Sequence, residues 1–124
     1  MARAIRIVAG TMEAEATLNN GPTATAIWEA LPISAKASTW GDEIYFAIPV
    51  KAEQEPDATE VVALGDLGYW PPGSAFCILF GRTPASQGDE IRAASAVNLI
   101  GKVRGDPTVF KKVASGARIE ITRA

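Results

Sequence analysis

The residues with the clearest potential for binding are two large aromatic side chains beside a rigid turn. Tyr69 and Trp70 directly precede Pro71, Pro72 and Gly73. Because each proline fixes its own backbone angle, the chain is stiff here as it turns. Amphipathic rings on a stiff rim present apolar surface together with polar atoms, which is what a ligand cleft requires. For Tyr69 and Trp70, cleft lining and plain core packing are both open.

Four polar residues are candidates for positions near such a cleft. Glu43 and Tyr45 lie two apart on one predicted strand and therefore share a face. Arg82 follows a predicted strand end, and Asn98 interrupts an apolar run, where a buried amide must form hydrogen bonds. A structural hydrogen bond or a surface ion pair is the alternative for each of the four. The full set of predicted ligand-binding residues is Trp40, Glu43, Tyr45, Tyr69, Trp70, Pro72, Phe80, Arg82 and Asn98.

Several kinds of chemistry are excluded by the residues present. Histidine is absent, which removes Ser-His-Asp, Cys-His and His-ligated zinc sites from a single chain. The one cysteine, Cys77, lies in an apolar run and is predicted to be a buried, inert thiol, because apolar burial raises a thiol pKa. Asp42 and Glu43 are adjacent on a strand and face opposite ways, so they form no acid pair. We therefore predict no catalytic residue, no metal site and no cofactor.

Length and charge restrict the classes of partner. The 124 residues fit one domain, 1–124, and the net charge of −2 gives no electrostatic reason to expect nucleic acid or an anionic membrane. No apolar run approaches the roughly 20 residues that span a bilayer. A single cysteine forms no internal disulfide, which favours the cytoplasm. The predicted partner is a small molecule or a proline-containing peptide. The sequence does not distinguish a monomer from a homo-oligomer.

The elements that must position these residues are mostly strands. Apolar and polar residues alternate over 4–8 and 12–18, and further strands are predicted at 34–40, 43–48, 61–64, 75–80, 96–103 and 118–122. A short helix is predicted from Pro22 to Leu31, and a second from Pro107 until Gly116. The polar segment 51–60 is predicted to be an exposed loop and the least ordered part of the chain. About eight strands and two short helices favour a mainly β fold, a closed barrel without exposed strand edges.

Four segments of the chain resemble the small prokaryotic cyclophilin-like proteins. They are TWGDEIYF at 39–46, GDLGYWPPG at 65–73, FGRTP at 80–84 and SAVNLIGK at 95–102. The resemblance covers about three-quarters of the chain, from Thr39 onward, and it implies a compact cyclophilin-like β-barrel.

A more distant resemblance to true cyclophilins bears on activity. GSAFCI at 73–78 is similar to their Gly-Ser-Gln-Phe-Phe-Ile, and IGKV at 100–103 to their Phe-Gly-Lys-Val. The resemblance places their glutamine on Ala75, the phenylalanine that walls their proline pocket on Cys77, and their catalytic arginine on Phe46. A phenylalanine cannot supply the electrostatic stabilisation that a guanidinium gives. The chain is therefore expected to keep the scaffold without the usual isomerase residues.

Three functions follow from these observations. The leading hypothesis is a cyclophilin-like barrel that binds a small molecule or short peptide in a cleft near Trp40, Tyr69 and Trp70. The first alternative is a weak peptidyl-prolyl isomerase that uses Arg82. The second is an interaction module or subunit of a larger amide-hydrolase-type complex, since the resemblance extends to a fold that occurs in subunits of urea-amide hydrolases. Fold alone decides among none of them.

Overall fold

The structure, a computed structural model, describes residues 3–124. The described residues form ten strands, one α-helix and two 3-10 helices. In chain order these are β1 (Arg3–Ala9), β2 (Met12–Leu18), α1 (Pro22–Ala30), β3 (Ile33–Lys36), β4 (Ser38–Thr39), β5 (Glu43–Ala47), β6 (Thr59–Val62), β7 (Asp66–Trp70), a 3-10 turn (Pro71–Gly73), β8 (Ala75–Leu79), β9 (Ile91–Val103), a 3-10 helix (Pro107–Lys112) and β10 (Arg118–Arg123).

All strand pairs in the described chain are antiparallel, as hairpin-length connections predict. The order along the sheet is β3-β10-β1-β2-β9-β7-β8-β5-β4, and β6 pairs with β9 beside this path. The mainly β fold is confirmed. The predicted barrel is not fully closed, because no backbone hydrogen-bond ladder joins the two end strands β3 and β4. Those two end strands are consecutive in the chain, and the buried residue Ala37 connects them.

Strand β9 is the longest element and holds two parts of the sheet together. Its later half pairs with β2 and β7, so that Gly101 lies opposite both Leu18 and Leu67. A side chain at Gly101 would collide with the Thr17 carbonyl, so the strands approach this closely only because the residue is glycine. The earlier half pairs with β6, which is why the strand begins at Ile91 rather than at the predicted residue 96.

The predicted strand at 61–64 is wrong in its extent. β6 ends at Val62, and the chain reverses before β7 begins at Asp66. The Asp66 carboxylate accepts a hydrogen bond from the Ala63 amide at 2.8 Å, which holds this turn. Ala63 and Leu64 therefore lie in the turn between two strands. Strand β7, which is separate from β6, contributes to a total of ten strands instead of about eight.

Two apolar clusters stabilise the sheet. The larger lies on its inner face and includes Ile5, Phe46, Tyr69 and Phe76 among its members. The smaller lies on the outer face of β8, where Ala75, Cys77 and Leu79 pack against Ala93 and Val97 of β9. Every residue of β8 is buried, as its continuous apolar sequence predicts.

The two predicted helices are present, and the second differs in type. α1 begins at Pro22 after the N-cap residue Gly21, in agreement with the prediction. The second begins at Pro107, with the Asp106 side chain accepting from the Thr108 amide at 3.0 Å, but it is a 3-10 helix. It ends at Lys112, before the predicted Gly116, because Val113 turns into an extended conformation and is buried.

Among residues 3–124, every helix is too short or too polar to cross a membrane. The predicted cytoplasmic location stays a prediction.

Candidate functional site

Three of the predicted ligand-binding residues line one cavity on the outer face of the sheet. Trp40, Tyr45 and Trp70 surround an open space of about 300 Å³, which Ala94 completes. They come from the loop after β4, from β5 and from β7, and Ala94 comes from β9. Side chains distant in sequence, among them Trp40 and Trp70, therefore line one aromatic cavity. Ligand binding by these residues stays a prediction.

Trp70 is held in place from two sides. Its indole Nε1 donates a hydrogen bond to the Ser95 Oγ at 2.6 Å. Its six-membered ring lies over Gly73, where a Cβ atom would be 2.9 Å from the ring carbons. Glycine at 73 therefore lets the ring pack flat on the 3-10 turn. A large side chain fixed in this way presents a preorganised wall to a ligand.

Tyr45 and Trp40 are the other two aromatic residues that line the cleft. Tyr45 lies directly across from Cys77 in the β5–β8 pair and is 37% exposed. Trp40 is half-buried, and its backbone amide donates to the Glu43 carbonyl at 2.9 Å in the turn that joins β4 to β5. Both rings are therefore attached to ordered backbone while remaining accessible.

Glu43 lies on the same face as Tyr45, as predicted, beside the cleft lining. It is only 6% exposed. Burial raises the pKa of Glu43 to about 7, and a hydrogen bond with the Cys77 thiol acts in the opposite direction as the smaller effect. Loss of water disfavours the charged carboxylate, so this group exchanges its proton near neutral pH. Groups with such shifts are common at functional sites.

Cys77 is buried, as predicted. Burial raises the pKa of its thiol well above the ordinary value, and the nearby Glu43 carboxylate raises it further. The reactive form of cysteine is the thiolate, which this environment suppresses. Cys77 therefore contributes to the packing of the smaller apolar cluster.

Tyr69, which is among the predicted ligand-binding residues, lies in the core, the second of the two placements that its sequence left open. It is 0% exposed, and its hydroxyl donates to the Val50 carbonyl at 2.7 Å and accepts from the Ala52 amide at 3.1 Å. Adjacent strand residues face opposite ways, so Tyr69 points inward because Trp70 points outward. This alternation was the signal in the sequence that separates the two.

Phe80 and Asn98 also lie away from the cleft. Phe80 is buried against Phe110, with ring centroids 6.0 Å apart. The Asn98 amide is buried among the backbone of the segment before β6 and Thr23 of α1. Both were predicted near the ligand, and the structure places both in the interior. Phe80 directly follows the end of β8, and Asn98 occupies a position of β9 that faces the core.

Pro72 and Arg82 are exposed and are not among the residues that line the cavity. The Arg82 guanidinium donates to the Ser86 carbonyl at 3.3 Å, within its own loop. The isomerase alternative that depends on Arg82 stays a prediction, and the cleft lining contains no arginine.

The alignment of Phe46 with a catalytic arginine needs correction. Phe46 points into the core and stacks on Phe76, with centroids 5.3 Å apart. The side chain across from Cys77 on the outer face is Tyr45. An arginine that shared a pocket with position 77 would therefore occupy 43, 45 or 47 on β5, and these positions are Glu43, Tyr45 and Ala47.

A second, larger cavity of about 510 Å³ lies between the β1–β2 hairpin and the segment around the second 3-10 helix. Its lining contains Met12, Val109 and Lys112 but no aromatic residue. Within residues 3–124, no three His, Cys, Asp or Glu side chains are grouped as metal ligands. The aromatic cleft is therefore the best-defined candidate for binding.

The comparisons with known proteins agree with this architecture. A model of the family described as cyclophilin-like matches residues 3–122. The chain is also similar to a hypothetical protein of Archaeoglobus fulgidus whose solution structure is known. The two are 43% identical and superpose with a TM-score of 0.85, over 99% of this chain and 95% of the archaeal one. No protein of curated function matches the sequence. The match includes the first third of the chain, which contains none of the four resembling segments.

Proposed function

The chain belongs to the cyclophilin-like family, and on that premise we propose that it binds a small molecule, or one side group of a short peptide, in the cleft of Trp40, Tyr45 and Trp70. The observation that carries this proposal is the convergence of three aromatic rings on one open cavity. Sites for small ligands are concave and mostly apolar, with few polar groups.

The size of the cleft limits what it accepts. Its volume of about 300 Å³ lies at the lower end of the range of about 300–1,000 Å³ that ligand pockets occupy. A single ring or a compact branched group fits such a space, while a larger ligand would extend over Ala94 and the surrounding surface. A peptide would therefore insert one residue and leave the rest outside.

Tryptophan fluorescence tests the proposal, because two of the three tryptophans line the cleft. We expect fragments with one apolar ring, and short proline-containing peptides, to change the emission and to raise the melting temperature. In Trp70→Ala we expect affinity to fall by about tenfold or more, since truncating a central aromatic residue commonly costs 1–2 kcal/mol or more of binding free energy.

The matched control is Trp28→Phe. Trp28 lies elsewhere, with the Arg123 guanidinium 4.4 Å from its ring centroid, so its replacement should leave affinity unchanged. Absence of binding by every fragment and peptide, or equal affinity in wild type and Trp70→Ala, would contradict the proposal.

A further inference from the structure

The aromatic cleft has an acidic neighbour, Glu43, which forms no ion pair with the other residues of the described range 3–124. From the combination of the three rings with Glu43 we infer that the cleft receives an organic cation, namely an alkylated ammonium group. This inference rests on the proposed function and specifies its ligand class.

The rings supply the first part of the argument. The face of an aromatic ring carries negative potential, and a cation within about 6 Å of its centre is attracted, most strongly by tryptophan. Trp40 and Trp70 lie on different elements and Tyr45 on a third, so a compact group in the cavity between them contacts several rings at once. A methylated ammonium group suits this space because it is rounded, apolar at its surface and weakly hydrated.

Glu43 supplies the second part. Two residues along a strand span about 6.6 Å, so the Cα atoms of Glu43 and Tyr45 are about this far apart and their side chains share one face of β5. The ion pairs present among residues 3–124 involve other carboxylates, such as Asp42 with Lys111 and Asp66 with Lys102. A buried acid without a cation partner is unfavourable when ionised, and a ligand cation in the cleft supplies that partner.

The groups that face Glu43 do not neutralise it. The β8 side presents the Cys77 thiol and Leu79, which lies directly opposite Glu43. Among the β9 residues that cover this outer face, Ala93 and Val97 are apolar, and the neighbouring cation Arg92 is paired with Glu90 at 2.5 Å and with Glu60 at 3.3 Å. On β5 itself, Tyr45 is the titratable neighbour on the same face.

Protonation of Glu43 sets the expected dependence on pH. In the free protein the carboxyl is protonated below about pH 7, so binding a cation at pH 6 requires loss of that proton. At pH 8 the carboxylate is already formed. The ionised fraction differs by about tenfold between the two, and affinity for a cation should rise by up to about tenfold with it. An uncharged ligand has no such gain.

Choline and 3,3-dimethylbutan-1-ol provide the test, because they differ in replacing the charged nitrogen by carbon. Binding of each to the full chain is measured by NMR titration at pH 6 and pH 8. We expect choline to bind about fivefold tighter than the alcohol at pH 6, where the rings alone favour the cation. This preference should increase by up to about tenfold at pH 8, where Glu43 is ionised. In Glu43→Gln we expect weaker choline binding, no dependence on pH and unchanged binding of the alcohol.

The matched control is Glu29→Gln, which removes an exposed carboxylate on α1 and should keep the preference for choline. Equal affinity for the two compounds in wild type overturns the inference and leaves the proposed function standing. Choline binding that is tighter at pH 6 than at pH 8 has the same consequence. Absence of choline binding also overturns the inference. The proposed function is then tested separately by the fragment titrations described above. The comparison of the two compounds needs no variant, so it does not depend on how Glu43→Gln folds.

Discussion

Replacing Asn98 by alanine is expected to destabilise the protein by about 3–5 kcal/mol, because several buried polar groups lose their partners together. The Asn98 Oδ1 accepts from the Glu55 amide at 2.8 Å, and its Nδ2 donates to the Glu53 carbonyl at 2.9 Å and to the Thr23 Oγ1 at 3.0 Å. The Thr23 hydroxyl in turn donates to the Glu55 carboxylate. The side chain is 0% exposed, so water does not replace it without rearrangement.

Urea unfolding measures this effect, and two further variants show its origin. Asn98→Leu keeps the side-chain volume but leaves the Glu53 carbonyl and the Glu55 amide unpaired. It should therefore destabilise the protein by most of the amount expected for Asn98→Ala. Asn19→Ala is the exposed control. The Asn19 amide donates to the Leu99 carbonyl at 2.8 Å in contact with solvent, so its loss should cost less than about 1 kcal/mol. A change below 1 kcal/mol in Asn98→Ala would show that the network contributes little.

Glu43→Gln is expected to stabilise the protein at pH 8 by about 2–4 kcal/mol relative to wild type and to change stability little at pH 4.5. The ordinary pKa of the carboxyl is 4.5 and the folded-state value is about 7. Between these values the folded state binds more protons than the unfolded state, so the contribution of Glu43 is fully present below pH 4.5 and falls as pH rises to about 7. Glutamine is neutral throughout and keeps its contribution.

Unfolding in urea at several pH values between 4.5 and 8 measures this difference directly. Titrations of the other groups are shared by both proteins and cancel in the comparison. Glu29→Gln removes one exposed negative charge on α1, and its difference from wild type should not grow in the same way. A constant difference between Glu43→Gln and wild type from pH 4.5 to pH 8 would mean that the carboxyl is not desolvated by the fold.

The Asn98 network also explains why the segment before β6 is not the loosely held loop that its composition predicts. Segment 51–58 lies between strands and is rich in charged residues. Its backbone at Glu53 and Glu55 is nevertheless bonded to Asn98 of β9. The sequence showed that Asn98 requires partners if it is buried, but those partners lie more than 40 residues earlier in the chain, so no local pattern identifies them.

The pair Tyr69 and Trp70 shows what a local sequence pattern does not determine. Alternation along β7 requires that the two rings face opposite sides of the sheet. It does not state which side is the core. That choice follows from the Val50 carbonyl and Ala52 amide, which receive the Tyr69 hydroxyl inside, and from Ser95, which receives the Trp70 indole outside. Ala94 gave no signal at all, because an alanine on a long strand has no distinguishing chemistry.

By itself, the sequence determined the strand periodicity, the start of α1 at Pro22, the absence of histidine chemistry and the family resemblance, which the match over residues 3–122 confirms. Only the tertiary structure decided that Trp40, Tyr45 and Trp70 share one cavity and that Glu43 is buried beside it. The reason is physical. Alternation within a strand records which residues share a face, whereas the cleft and the desolvated carboxyl arise where faces of several strands are brought together by long-range pairing.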